Sequence, residues 1–100
     1  MFNKLKTAQR NTTDYVTLRG MANSKNWKIR AALAANTNLQ THVLEELAMD
    51  KVEAVRLALT GNPNVTPKLW DALNADESLK VREALLETHP ERPVKSGHRG

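Results

Sequence analysis

The sequence predicts an all-α fold, a short solenoid of about three 26-residue, two-helix repeats. Three observations predict it. The dipeptides Ile29-Arg30, Val55-Arg56 and Val81-Arg82 lie 26 residues apart with no insertion, and a short fixed period is the signature of stacked units. The same register aligns Ala32, Ala58 and Ala84, then Leu33, Leu59 and Leu85, so apolar residues recur at the i, i+3, i+4 spacing of one helix face. It also pairs Asn36 with Asn62, Asn38 with Asn64, Leu47 with Leu73 and Asp50 with Asp76. Eight of 26 positions are identical between 25–50 and 51–76, too many for chance at a single offset.

Taken in order, residues 1–24 read as an N-terminal helix and a half repeat. Phe2 and Leu5 suggest a short closing helix, and in segment 14–22 Leu18 and Met21 match Leu44 and Leu47. Residues 25–50 are repeat 1 and 51–76 are repeat 2. The first helix of each unit, near 25–35, 51–60 and 77–87, follows Ser24, Asp50 or Asp76, all good acceptors for an orphan N–H at a helix start. Asp50 with Glu53 has the spacing of a capping box. The links Asn36-Thr37-Asn38 and Asn62-Pro63-Asn64 come next, Gly61 suiting a helix C-terminus where positive φ costs it little. Thr66-Pro67 then reads as a cap followed by Pro at the first helical position, with Gln40 and Asp14 in the equivalent cap place. Val43, Leu44 and Leu47, then Leu69, Trp70 and Leu73, form the buried side of the second helices. Residues 77–93 are a truncated third repeat, in which Thr88–Pro93 still matches Asn62–Pro67. Residues 94–100 carry no leucine to build a helix and read as a disordered tail.

The string Val55-Arg56-Leu57-Ala58-Leu59-Thr60-Gly61-Asn62-Pro63-Asn64-Val65-Thr66-Pro67-Lys68-Leu69-Trp70-Asp71-Ala72-Leu73 resembles the leucine-rich repeat variant (LRV) family, whose unit has the form V-R-x-x-L-A-x-N-P-N-T-P-x-x-L-L-x-x-L-A-x-D. Residues 25–50 resemble it less closely, because Thr37 and Thr41 replace its prolines, and 77–88 match its first half. The resemblance implies a right-handed helical solenoid in which an α-helix alternates with a shorter helix, often of 3₁₀ type. Segments 41–49 and 67–75 are long enough for about two α-turns, which leans toward a HEAT-like helix pair. Some members hold an iron–sulfur cluster on a cysteine-rich segment. This chain has no Cys, so no cofactor is expected. The resemblance also implies a recognition scaffold and a bacterial or phage origin.

Composition narrows the function. Without Cys there is no disulfide scaffold, thiolate metal site or cysteine nucleophile. No apolar run approaches a membrane span, and Met1–Arg10 lacks the apolar stretch of a signal peptide, so a cytoplasmic setting is expected, in a bacterium or a phage-infected host cell. His42, His89 and His98 lack ligand spacing, and no nucleophile–base pair or phosphate loop occurs; no enzyme activity and no metal are expected. The net charge of +4 is unevenly spread: residues 1–30 hold seven Lys or Arg against Asp14, whereas 31–79 hold three basic and seven acidic side chains. Glu45, Glu46 and Asp71 on the second helices break the basic stripe that a nucleic-acid solenoid needs.

The repeated Arg30, Arg56 and Arg82 are expected to pair with the capping acids Asp50 and Asp76 of adjacent units rather than with phosphate. The turn asparagines are expected to bond the backbone. Trp70 is expected in the core and Trp27, flanked by Lys25 and Lys28, partly exposed. The third helix carries Leu79 and Leu86 and has no partner helix, so its apolar end predicts a contact. The expected function is a non-enzymatic protein–protein interaction module, an adaptor or inhibitor of a larger, unidentified protein. Its expected surface joins Lys4, Lys6, Arg10, Arg19, Lys25, Trp27 and Lys28 to Leu79 and Leu86. The alternative is nucleic-acid binding through the basic N-terminal segment; a homodimer through the C-terminal helix is a third option.

Overall fold

Apolar residues at helical spacing, interrupted by short Asn-, Thr- and Pro-bearing links, fold residues 15–94 into six α-helices with no strand among them; these are the residues that the computed structural model describes. They are α1 (Tyr15–Ala22), α2 (Trp27–Ala34), α3 (Thr41–Leu47), α4 (Glu53–Leu59), α5 (Pro67–Asn74) and α6 (Leu79–Thr88). Phe2, Leu5 and the tail after Val94 lie outside the described residues. Helices of seven to ten residues do not persist alone in water, so their stability comes from packing. The segments at 41–49 and 67–75 are α-helical.

The helix starts differ from expectation. Ser24, Asp50 and Asp76 do not sit at the N-caps of α2, α4 and α6; the N-caps lie two residues later, at Asn26, Val52 and Ser78. The aspartates instead close a tight turn ahead of the helix: Asp50 Oδ1 accepts the Val52 N–H at 2.9 Å and Asp76 Oδ1 the Ser78 N–H at 2.8 Å. Val52 offers no side-chain cap, and no capping box forms, since the Glu53 carboxylate accepts from the Ser78 hydroxyl. Thr66 caps α5 as expected, its hydroxyl oxygen accepting the Leu69 N–H at 3.2 Å with Pro67 in the first turn. Gly61 does not adopt a positive φ, and a Cβ there would meet only the Ala58 carbonyl oxygen at 3.8 Å. Ala35 fills the same repeat position with φ −92°, which explains why nothing there requires glycine.

α2 lies against α4 and α4 against α6, while α3 packs on α4, α5 on α6, and α1 on both α2 and α3. Leu18, Leu33, Leu44, Leu59, Leu69, Leu73 and Leu85 are all fully buried, with Val43, Val55 and Val81 between them. The core is therefore one continuous leucine seam running from α1 to α6. Trp70, expected inside, is half-buried at its edge and donates its indole N–H to the His89 carbonyl at 3.1 Å. A large ring with a polar end is best placed there. No helix among the described residues is long and apolar enough to cross a membrane.

Candidate functional site

Two arginines each grip an aspartate twenty residues on. Arg30 on α2 donates from Nε to Asp50 Oδ2 at 2.6 Å, from Nη2 to Asp50 Oδ1 at 3.2 Å, and from Nη1 to the Ser24 carbonyl at 2.6 Å. One period later Arg56 on α4 repeats this atom for atom, with Asp76 Oδ2 at 2.7 Å, Asp76 Oδ1 at 3.3 Å and the Asp50 carbonyl at 2.7 Å. Burial alone raises the Asp50 carboxyl; the Arg30 hydrogen bonds, the Val52 N–H and the Arg30 and Arg56 charges outweigh it and hold the group below its ordinary value. The hydrogen bonds from Arg56 to Asp76 hold that guanidinium charged, above its already high value. The arginines thus serve the structure, and a planar fork facing a carboxylate is the geometry that suits them.

A second tie comes from the asparagines. Asn62 is 1% exposed; its Oδ1 accepts the Asn64 N–H at 2.8 Å, while its Nδ2 reaches back one unit to the carbonyls of Ala34 at 2.8 Å and Asn36 at 3.0 Å. Asn64 Nδ2 likewise donates to the Thr37 carbonyl. The local turn bond was legible from the sequence. The reach into the preceding unit was not, although the spacing of 26 residues between Asn36 and Asn62 is its trace.

The expected binding residues fall into two groups. Lys25, Trp27 and Lys28 stand exposed at the start of α2, with Lys28 Nζ 5.9 Å from the centroid of the Trp27 ring, which is 41% exposed. Arg19 on α1 is held by the Glu46 carboxylate, and its hydrogen bond lowers the Glu46 pKa. Lys4, Lys6 and Arg10 lie outside the described residues. Leu79 and Leu86 stand at the far end on α6, 59% and 46% exposed. α4 lies between α2 and α6, so the cationic start and the apolar helix are separate surfaces. Leu86 is informative by comparison: Ala34 and Thr60, the residues 52 and 26 positions earlier, are 0% and 4% exposed.

A groove of about 990 Å³ lies between the starts of α3 and α5, where the chain after α6 returns; sequence reasoning missed it. Leu39, Val65, Pro67 and Pro93 supply apolar walls. Its charged rim is paired internally, with Lys68 Nζ 3.6 Å from Glu45 and Arg92 bound twice to Asp71 at 2.7 and 3.0 Å. Pro93 at the repeat position of Pro67 was the only sequence hint that the chain turns back here. Among the described residues no group of three or more His, Cys, Asp or Glu is arranged to hold a metal ion. Comparison with family models, with curated proteins and with solved structures returns no match for this chain.

Proposed function

We propose that this chain is a short right-handed helical solenoid of about three units, non-enzymatic and cytoplasmic, that acts as a protein–protein interaction module, an adaptor or inhibitor of a larger protein. The same Arg–Asp bonds, and the same turn bond in which the Oδ1 of Asn36 or Asn62 accepts the N–H two residues on, recur at a spacing of 26 residues and support the repeat reading. One observation carries the function: Leu86 stands half out of the surface at a position where the other units bury Ala34 and Thr60. An apolar side chain that no described residue covers, at a position its equivalents bury, marks a contact surface. Affinity capture from the source cell, read by mass spectrometry, should recover a main partner that is lost on Leu86→Glu or Trp27→Ala. Undiminished capture by both variants would sink this surface.

A second reading, nucleic-acid binding at Lys25, Trp27 and Lys28, is supported by the exposed indole ring under the Lys28 ammonium, since an aromatic among cations can stack on a base. Affinity that collapses between about 50 and 200 mM salt would favour it, because phosphate contacts act through counterion release. Affinity independent of salt would favour the protein partner. Sedimentation as a concentration-independent monomer would count against a homodimer through α6.

A further inference from the structure

We propose that the start of α2 is a docking patch for an acidic segment of a partner protein, built from the Trp27 indole N–H and the ammonium groups of Lys25, Lys28 and Lys51. The inference rests on the interaction-module reading and adds the chemistry of the partner. Lys51 joins the patch through Arg30. That one guanidinium bonds the Ser24 carbonyl through Nη1 at 2.6 Å and the Asp50 carboxylate through Nε at 2.6 Å. Lys25 and Lys51 are the residues that follow, so a shielded ion pair draws two lysines 26 positions apart in the chain to the same end of α2. Lys28 stands there too, its ammonium 5.9 Å from the centroid of the Trp27 ring. Residues 15–44 contain no Asp or Glu, and the acids that follow are turned elsewhere. Glu46 holds Arg19, Asp50 holds Arg30, and Glu53 accepts the Ser78 hydroxyl on the α6 side of α4. Among the described residues no ion pair or hydrogen bond reaches the three ammonium groups or the Trp27 indole N–H, and all four side chains are exposed.

Ammonium and indole N–H groups donate and cannot accept, so the group that satisfies this patch is an anionic acceptor, a carboxylate or a phosphate. Two features favour the carboxylates of a protein over a nucleic-acid strand. A base stacking on the ring face that Lys28 covers has to displace that ammonium, whereas a carboxylate bonds it where it stands. The cationic run is also short. The repeat position of Lys25 and Lys51 is filled next by Glu77, and that of Trp27 by Glu53, both exposed. A strand of evenly spaced phosphates running on along the helix starts meets those two acids. A protein segment instead sets a few carboxylates over the lysines and continues with neutral residues, and an apolar side chain among them finds the exposed part of the Trp27 ring.

The test titrates the 100-residue chain, labelled with ¹⁵N, with the end-capped peptide (Asp-Leu-Glu-Glu)₂, with its neutral counterpart (Asn-Leu-Gln-Gln)₂, and with an oligothymidylate of the same charge as the first. Both anions respond to salt, so direct titration separates them. Expected is a saturable shift of the Trp27 indole N–H resonance with the acidic peptide, while that of Trp70, bonded to the His89 carbonyl, stays in place. The acidic peptide should bind about tenfold tighter than the neutral one, the sum of a few exposed ion pairs, and K25E/K51E should abolish that difference. K28Q, a milder change at an exposed side chain, should weaken binding about threefold and guards against a folding defect in the double variant. Equal affinity of the two peptides, or an unmoved Trp27 resonance, overturns the proposal. An oligothymidylate that binds more tightly than the acidic peptide overturns it too and assigns the patch to nucleic acid. So does self-association of the chain alone that shifts the Trp27 resonance, since a second copy then supplies the acids. If a captured partner is lost on L86E but kept by K25E/K51E, the patch fails while the interaction module stands.

Discussion

At Arg56 and Asp76 two opposite charges sit 9% and 5% exposed, and what they contribute depends on both staying. Removing one leaves the other buried and uncompensated, so Asp76→Ala should destabilise the fold by about 3 kcal/mol in urea unfolding, and adding Arg56→Leu should restore part of that loss. The exposed Arg92–Asp71 pair has the same geometry but lies in water, and Asp71→Ala should leave the midpoint nearly where it was. Asp50 adds a pH term. Its folded pKa lies below the unfolded value of about 3.9, so its stabilisation is present above that value and is lost as pH falls through the folded pKa. Thermal melts between pH 7 and 3 should therefore fall steeply at the acid end, and Asp50→Asn should flatten that fall while lowering stability at pH 7. At Gly61, where φ is ordinary and the Cβ site is open, Gly61→Ala should raise stability by about 0.4–1 kcal/mol, because alanine restricts the unfolded chain.

Among the elements, α2, α4 and α6 are one helix written three times, and their differences mark their neighbours. Ala34 and Thr60 are small and buried on helices that pack against a following first helix; Leu86 is large and exposed on α6, which among the described residues has none after it. Ala34→Leu, importing what α6 carries, should overpack the α2–α4 contact and cost about 1–3 kcal/mol. Leu86→Ala should cost under about 1 kcal/mol, because that side chain already meets water, whereas Leu85→Ala next to it should cost about 2–5 kcal/mol. Urea midpoints of the three variants rank them. The existence and order of these helices were legible from the apolar spacing. Their first residues were not: Asp50 and Asp76 look like caps because capping and a tight pre-helical turn ask for the same short acceptor, and only the neighbouring arginine distinguishes the two roles.

Across the described residues, each helix packs mainly on helices near it in the sequence, α2 on α4, α4 on α6 and α5 on α6. Among the described residues α4 has a first-helix neighbour on both sides, α2 and α6, whereas α6 has one. Native-state hydrogen exchange should accordingly find the α4 amides opening at the highest free energy and those of α1 and α6 at lower values; uniform protection from α1 to α6 would show a single cooperative block instead. The 26-residue period, the leucine seam and the Arg–Asp partners were already implied by residue order, because the same local sequence places the same side chains at the same spacing. Residue order did not separate the basic and apolar surfaces, and it did not show the groove by Pro93 or the asparagine that reaches back one unit. Those depend on which side of each helix the next one covers, a relation between units that no single unit's pattern contains.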